Sequence, residues 1–513
     1  MNPWHQGYVT EVDYTYGFYR ELTPALMQLS LLAGAVEPPP LGEFKYCELG
    51  FGQGVGLNVL AAANPRGEFW GTDFNPAHAA GARQLAAMAG LQNFRCFDDS
   101  FEEFAARTDL PKFDWIVLHG VYSWVGERNR AAIVEFLRKH LAVGGVVHVS
   151  YNALPGWAPL MPLRELLVRA ATSETRSPMP ARIESALALA KQLNELPIGY
   201  FKQNAGAVRQ LEEMAKQDRN YLAHEYLNAA WDPLYFADVA AEMETAKLTY
   251  AGSADVSQRF EGVTLPAEVR KLLSTVSDPV WKETLRDFSI NQRFRRDLFV
   301  RGGRGIAQQE QLRRLREIRV ALTRPRAQCP LKVQFGVVQT ELQPSTYEPV
   351  LDALAARPLC VNELVGMPAL ADIDAPRLVQ ALLVLVGAGY AMPCLPEDAR
   401  GGATDSARRF NRAVCAQARA TSGGVSTLAA PSIGSGLQIG RIERLFADAL
   451  FQGAANEPAA CAQHVWRILS AEGQALVKGG KRLETAEENV AELTDRARDW
   501  LANKPTLEAL GVL

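Results

Sequence analysis

The chain has 513 residues, too many for one hydrophobic core, and typical domain sizes predict about three or four folded units. Apolar residues make up 48% and charged residues 22% of the sequence, which is globular composition and excludes a disordered or fibrous protein. The formal net charge of −3 excludes a global attraction to nucleic acid or anionic lipid, so any such contact would have to be local.

Signals for export, membrane insertion and metal binding are missing from the sequence. Met1 to Asp13 lack a basic stretch followed by an apolar core, which predicts no secretory signal. The most apolar late run, Ala381 to Met392, is shorter than the roughly 20 residues that span a bilayer. The seven cysteines never form C-x-x-C, and no H-E-x-x-H pair occurs. We therefore expect a soluble cytoplasmic protein with no membrane insertion and no metal.

Short β-rich runs alternate with Ala- and Leu-rich helical stretches in the first third of the chain. The β-rich runs are Phe44 to Leu49, Phe69 to Thr72, Phe94 to Phe97, Trp115 to Leu118 and Val146 to Ser150. The helical stretches between them are Leu57 to Ala63, Ala77 to Ala89 and Ala131 to His140. This alternation predicts an α/β fold with a doubly wound, Rossmann-like parallel sheet.

Helical patterns dominate the rest of the chain. Ile183, Leu187 and Ala190 share one helical face, which predicts a mainly helical middle region. After a boundary at Pro325 and Pro330, three predicted helices and a β-like run resemble a winged-helix unit: Tyr347 to Leu354, Val361 to Leu364, Ala375 to Leu385 and Tyr390 to Met392. A final apolar stripe fits packing against the same chain, which we favour, or a coiled-coil homodimer: Leu483, Ala486, Val490, Leu493, Ala497 and Leu501.

A glycine-rich turn follows the first predicted strand and precedes a helix. It contains Glu48, Gly50, Phe51, Gly52, Gly54 and Gly56. Glycines allow a ligand to approach the backbone closely, and the helix N-terminus offers unpaired N–H groups, although a turn without a ligand is the alternative. The dinucleotide fingerprint would place glycine where Val55 stands, which argues against NAD.

The spacing E-x-G-x-G-x-G resembles the first motif of class I methyltransferases that use S-adenosyl-L-methionine. The resemblance implies that Asp73 and Phe74, after the second strand, contact the cofactor, with the Asp73 carboxylate on the ribose. A helix cap or Asx turn is the alternative for Asp73. It also implies that Asp99 and Ser100, after the third strand, meet the adenine, although Asp99 by itself would fit a helix cap.

Two further loops narrow the resemblance. His119 to Val125 follow the fourth strand and Tyr151 to Trp157 follow the fifth. Together they resemble bacterial methyltransferases bearing a methyltransferase regulatory domain, a group that includes protein-lysine methyltransferases acting on outer-membrane proteins. The absence of D/N-P-P-Y after the fourth strand argues against methylation of nucleic-acid bases.

The resemblance implies five regions along the chain. They are an N-terminal helical segment that covers the cofactor (1–40), the methyltransferase domain (41–158), a helical middle or regulatory domain (159–325), a winged-helix-like module (326–400) and a C-terminal helical region (401–513). More than three hundred residues follow Trp157, and these extra domains imply a large acceptor or regulation. The resemblance implies that the acceptor is a lysine-containing protein.

The expected acceptor pocket lies between the two loops. A lysine amine must be neutral to react, which desolvation among aromatic side chains favours. We expect Tyr122, Trp124, Tyr151 and Asn152 to supply walls and hydrogen-bond acceptors, and His119 to border the cofactor and take a proton; packing is the alternative for each. Tyr14 is expected to help cover the cofactor.

Two other functions remain open from the sequence. A glycan or small-molecule acceptor would use the same cofactor. A non-catalytic nucleic-acid-binding protein is suggested by the arginine-rich stretch from Arg293 to Arg319, but helical arginines this dense usually pair with acidic side chains, so no nucleic-acid partner is expected.

Overall fold

A seven-stranded sheet forms the centre of the structure, a computed structural model that describes residues 16–173, 176–336, 338–421 and 423–513. The strands are β1 Lys45–Leu49, β2 Glu68–Thr72, β3 Phe94–Phe97, β4 Phe113–Leu118, β5 Leu141–Asn152, β6 Leu248–Ser253 and β7 Phe294–Arg301. Their order is β3-β2-β1-β4-β5-β7-β6, with β1 to β5 parallel and β7 antiparallel to both of its neighbours. The predicted Rossmann-like sheet is confirmed.

Helices cover both faces of the sheet, as a doubly wound fold requires. The first five are α1 Pro24–Ala33, α2 Val55–Ala63, α3 Pro76–Ala89, α4 Phe101–Ala106 and α5 Glu127–His140. Apolar side chains of α1, α2 and α3 pack in one cluster, whereas those of α4 and α5 pack in another on the opposite face. The strands therefore bury side chains on both sides, which explains their near-continuous apolar sequence.

The middle of the chain is a helical layer followed by the last two strands of the sheet. The layer contains α6 Met161–Ser173, α7 Met179–Glu195, α8 Tyr200–Gln203, α9 Ala205–Met214 and α10 Arg219–Tyr226. Next come α11 Phe236–Thr245, α12 Glu261–Thr264, α13 Ala267–Leu273 and α14 Pro279–Ile290, interleaved with β6 and β7. The central sheet thus draws two strands from beyond residue 158, because β7 pairs with β5 along Val146–Asn152.

The region after β7 contains the three helices expected from the sequence. Its elements are α15 Gln308–Glu317, β8 Val320–Leu322, β9 Lys332–Phe335, β10 Val338–Glu341, α16 Pro344–Ala356, α17 Val361–Leu364, α18 Ala375–Gly387 and β11 Ala391–Pro393. Strand β8 pairs with β11, and β9 pairs with β10, both antiparallel. The winged-helix assignment of this region stays a prediction.

The last region packs against the helix that follows the glycine-rich turn. It contains α19 Ala403–Gln417, β12 Thr427–Ala430, β13 Ser435–Gln438, α20 Arg441–Phe451, α21 Pro458–Ala471, β14 Val477–Lys478, β15 Lys481–Arg482, α22 Ala486–Ala502 and α23 Lys504–Ala509. The Asn64 amide donates to the Gly434 carbonyl at 2.8 Å, and a Cβ at Gly436 would lie 2.6 Å from the Val59 side chain. This region therefore supports α2 from behind.

The C-terminal apolar stripe packs against its own chain. Leu493 and Ala497 on α22 are fully buried, and the ring of Trp500 packs 5.8 Å from that of Phe446 on α20. The sequence favours this arrangement over a coiled-coil homodimer. Leu483, Val490 and Leu501 of the stripe are half-buried, whereas Ala486 is exposed. Over the residues that the structure describes, no helix is long and apolar enough to cross a membrane, and no cluster of side chains suits a metal ion.

Candidate active site

The glycine-rich turn joins β1 to α2 in a left-handed backbone conformation. Gly50, Gly52 and Gly54 have φ angles of +73°, +57° and +68°, which residues other than glycine rarely adopt. A Cβ at Gly50 would also lie 2.6 Å from Val121, and one at Gly54 would lie 2.5 Å from Ala82. These glycines keep the turn open and let the next loop and helix pack against it.

Asp73 ends β2 and holds this turn in place. Its side chain is buried; Oδ2 accepts the Gly52 N–H at 2.8 Å, and Oδ1 accepts the Asn75 N–H at 3.0 Å and lies 3.0 Å from His78 Nδ1. Asn75, not Asp73, caps α3 by accepting the Ala77 N–H. The cap alternative for Asp73 is therefore wrong, while its bond to Asn75 is an Asx-type turn.

Glu48 lies below the turn and is also buried. Its Oε2 forms no hydrogen bond with any part of the chain that the structure describes. Burial, helped by the nearby negative charge of Asp73, raises the pKa of Glu48 to about 8. An unpartnered polar atom beside an open glycine turn fits a bound ligand that offers a hydrogen-bond donor. Phe51, by contrast, is buried in the core between the sheet and its helices.

The residues after β3 gather at the same edge of the sheet. The Asp99 carboxylate pairs with Arg107 at 3.2 Å, and the Asp99 carbonyl accepts the Thr72 hydroxyl at 2.5 Å. Ser100 accepts the Glu103 N–H at 3.3 Å and forms the cap of α4. The helix cap that the sequence allows at Asp99 is thus formed by Ser100, one residue later. Asp99 is instead hydrogen-bonded to Thr72 at the end of β2.

His119 opens the loop after β4 and packs against an aromatic side chain from the N-terminal segment. The rings of Tyr19 and His119 lie 3.7 Å apart, and His119 Nδ1 lies 3.2 Å from the Ser150 hydroxyl. Burial lowers the pKa of His119 to about 3. The ring is therefore neutral near pH 7 and too weak a base to take a proton effectively from an ammonium group.

Tyr122 and Tyr151 face the interior of the protein. Both side chains are fully buried; the Tyr122 hydroxyl donates to Glu242, and the Tyr151 hydroxyl donates to Asp297 Oδ2 at 2.7 Å. They support the two loops from behind, so the structure does not bring them to an open surface. Their expected role as pocket walls stays a prediction.

Trp124 and Asn152 link the two loops to the helical layer. Trp124 packs in the apolar cluster of that layer and donates from Nε1 to the Glu225 carbonyl at 3.5 Å. Asn152 is buried; its backbone N–H donates to the Ser123 hydroxyl at 2.9 Å, and its side-chain Nδ2 has no partner among the described residues. Tyr14 lies outside the described residues.

The structure adds residues that the sequence analysis did not single out. Glu21 pairs with Arg296 of β7 at 2.7 Å, which ties the N-terminal segment to the sheet beside His119. Tyr19 covers the His119 ring, and Glu225 of α10 approaches Trp124. Glu225 falls in the region 159–325 that the resemblance assigns to the regulatory domain, and this is the sequence signal that points to it.

The arginine-rich stretch pairs largely with acidic and polar groups. Arg295 is buried against Asp297, Asp287 and Glu283, at distances of 2.8, 2.6 and 3.0 Å. Further pairs are Arg293 with Gln210, Arg313 and Arg314 with Glu310, and Arg319 with Glu363. These contacts are the ones expected of structural arginines.

Comparisons with known proteins agree with this geometry. The methyltransferase domain family matches residues 47–147, and the predicted methyltransferase regulatory domain family matches residues 218–301. The chain is 42% identical over 511 residues to the uncharacterized protein sll1526 of Synechocystis sp. (strain ATCC 27184 / PCC 6803 / Kazusa), covering 99% of each chain. It is 30% identical over 278 residues to the uncharacterized protein RP789 of Rickettsia prowazekii (strain Madrid E), covering 53% of this chain and 48% of that one.

Among solved structures, PKMT2 from Rickettsia typhi in complex with AdoHcy has the same fold. The TM-score is 0.73 at 20% sequence identity, and the match covers 97% of this chain and 99% of that one. The fold likeness therefore includes the helical layer and the C-terminal regions as well as the sheet. The chain belongs to the class I S-adenosylmethionine-dependent methyltransferases that carry a methyltransferase regulatory domain, and S-adenosyl-L-methionine is its cofactor.

Proposed function

We propose that this methyltransferase acts on lysine side chains of a protein substrate. The observation that carries the proposal is the fold likeness to PKMT2, a protein-lysine methyltransferase, over 97% of this chain. A methyltransferase for a small acceptor needs little beyond the sheet domain. In this protein, apolar residues of the helical layer pack around Trp124, which belongs to the loop after β4. The substrate would therefore meet the helical layer and the sheet together.

The cofactor side of the site is proposed to use the edge formed by β1, β2 and β3. Gly50, Gly52 and Gly54 would admit the cofactor to the turn, with Asp73 fixing Gly52 and offering its remaining lone pairs to the ribose. Glu48, Phe74, Asp99, Ser100 and His119 would complete the surroundings. When bound, S-adenosyl-L-methionine supplies a methyl group on a positively charged sulfur, activated for displacement.

The acceptor side is proposed to lie where the loops after β4 and β5 meet the helical layer. Aromatic side chains at this junction would exclude water and favour a neutral amine. The rings of Tyr19 and His119 are in contact there, and the Trp157 ring lies 5.1 Å from that of Trp231 with Arg293 over it. We also propose that the domains end near residues 40, 158, 325 and 400. One amendment applies, because β6 and β7 come after residue 158 and yet belong to the central sheet.

Incubation with S-adenosylmethionine labelled on its methyl group and a fractionated lysate tests the proposal. We expect label in the protein fraction, and acid hydrolysis should release methylated lysine. Gly52→Val is the matched control, because its strained turn should abolish labelling without touching the acceptor side. Label confined to glycans or small molecules would contradict the lysine assignment and leave the cofactor assignment intact.

A further inference from the structure

Helix α14 has its polar side inside the protein and its apolar side outside. The residues that it buries are Thr284, Arg286 and Asp287. Trp281 and Phe288, by contrast, are 53% and 55% exposed. An amphipathic helix of a globular protein normally turns its apolar stripe to the core and its polar residues to water. The orientation of α14 is therefore the reverse of the ordinary one.

Polar contacts on the buried side of α14 hold the helix in this orientation. Asp287 Oδ1 accepts a hydrogen bond at 2.6 Å from Nη1 of Arg295, which is buried in β7. Arg286 Nη2 donates to the Gln258 carbonyl at 3.1 Å. Turning the helix to bury Trp281 would break these contacts and leave buried charges without partners, which is costly. The fold therefore keeps the apolar side of α14 at the surface.

The apolar side chains form one continuous surface, which we call the aromatic face. Trp281, Leu285 and Phe288 follow one another at spacings of four and three residues, so they share one side of α14. Tyr235, directly before α11, extends this side, because its ring is stacked 6.1 Å from that of Phe288 at an interplanar angle of 8°. These four residues are the aromatic face. Contiguous exposed apolar surface marks an interaction site, whereas isolated apolar residues do not.

The aromatic face continues into the loop after β5, which borders the site where we place the acceptor. Leu234, which precedes Tyr235, donates from its backbone N–H to the Asn152 carbonyl at 2.9 Å. In the turn after α14, the Gln292 carbonyl accepts the Gly156 N–H at 3.0 Å. Both helices that carry the aromatic face are thus hydrogen-bonded, through the segments beside them, to the ends of the same loop.

The charges beside the aromatic face favour a basic partner. Helix α11 packs against α14, carries three carboxylates and has no lysine or arginine. Its Asp238 is exposed, and the Asp238 N–H donates to the Tyr235 carbonyl at 3.1 Å. Lys282 of α14 lies 3.5 Å from Glu261, so its charge is compensated. A segment that carries a lysine would therefore meet carboxylates here rather than like charges.

We propose that the aromatic face docks a segment of the acceptor protein in which an apolar side chain lies close in sequence to the lysine, a role that rests on the proposed function. The apolar side chain would pack on the rings of Trp281 and Phe288. The lysine would then reach the site between the loops after β4 and β5. The substrate class is thus a protein segment that combines a lysine with an apolar neighbour.

Saturation of the labelling rate with lysate protein tests this docking in the double variant Trp281→Ser, Phe288→Ser. Both side chains are exposed, so the variant should fold, which circular dichroism checks. We expect the concentration of lysate protein at half-maximal rate to rise about tenfold, while the affinity for S-adenosylhomocysteine stays unchanged in calorimetry. Val143→Ser is the matched control, because Val143 is 83% exposed and lies at the opposite end of β5 from Asn152; it should behave as wild type.

Two further measurements separate docking from a structural role. Mass spectrometry of the labelled proteins should show that wild-type enzyme prefers lysines with an apolar residue nearby, and the double variant should lose this preference. Asp238→Lys, a change of an exposed side chain, should also raise the half-saturating concentration, most strongly at low salt.

The outcomes that overturn the docking role differ from those that overturn the proposed function. Unchanged half-saturation and site preference in the folded double variant would overturn docking and leave lysine methylation intact. A wild-type dimer that the double variant converts to monomers in light scattering would assign the aromatic face to a second copy of the chain and overturn docking as well. A wild-type enzyme that labels no lysine would overturn the proposed function and the docking role with it.

Discussion

Asp73→Asn should weaken cofactor binding because Asp73 shapes the glycine turn and is the residue that we propose for the cofactor ribose. In the structure its carboxylate accepts the N–H groups of Gly52 and Asn75 at 2.8 and 3.0 Å and contacts His78. An amide has one oxygen, so either Gly52 or Asn75 would face an NH₂ group instead of an acceptor. Hydrogen bonds to a charged group contribute about 1.5–3 kcal/mol each. We therefore expect a loss of about 2–3 kcal/mol, or roughly 30- to 150-fold in affinity.

Isothermal titration calorimetry with S-adenosylhomocysteine measures this loss, and circular dichroism reports whether the variant is folded. His78→Ala is the matched control, because it removes one of the contacts but keeps the carboxylate; its affinity should fall by less than about tenfold. Normal affinity in folded Asp73→Asn would refute the assignment of Asp73 to the cofactor site. Complete unfolding would show instead that the contact with Gly52 is needed for the fold.

Three other changes give distinct outcomes. Gly52→Val should abolish binding of S-adenosylhomocysteine in calorimetry, because a branched residue at φ +57° is strained in the turn; tight binding would mean that the cofactor lies elsewhere. In the folded protein the pKa of Glu48 is raised from its ordinary 4.5 to about 8. Protonation of Glu48 therefore stabilises the fold fully below about pH 4.5, and this stabilisation is lost as the pH rises through about 8. Glu48→Gln should therefore flatten the dependence of the free energy of unfolding on pH in urea titrations, and an unchanged slope would contradict the burial argument. A chain ending at Trp157 should be insoluble in a sedimentation assay, since β5 loses β7 and α2 loses its cover; a folded, cofactor-binding fragment would contradict this.

The sequence predicted the parallel part of the sheet well because its signals are local. The first five strands are apolar runs that begin or end within a few residues of their predicted bounds, and the glycine turn lies where its spacing placed it. Strands β6 and β7 were missed. Strand β7 reads Phe294–Arg301 with three arginines, and burial of Arg295 against Asp287 and Asp297 cannot be seen from sequence alone. Such a strand looks exposed until its ion pairs are known.

The site was predicted where one motif supplies it and missed where distant segments meet. Asp73 lies beside Gly52 because β1 and β2 are neighbours in a parallel sheet, a relation that the βαβ pattern implies. The direction of a side chain in a loop or at the end of a strand depends on where the core lies, and the rings of Tyr122, in the loop after β4, and Tyr151, in β5, both point inward. Glu225 comes about a hundred residues after Trp124, so only the folded chain brings them together.

Tandem mass spectrometry of the reaction products tests the central claim most directly. The enzyme would be incubated with S-adenosylmethionine bearing a trideuterated methyl group and with total lysate protein, and the digested proteins would be searched for the added mass. The account predicts trideuteromethyl groups on the Nε atom of lysine side chains, absent when Gly52→Val replaces the wild-type enzyme. Trideuteromethyl groups found only on other residues, on glycans or on metabolites would contradict it.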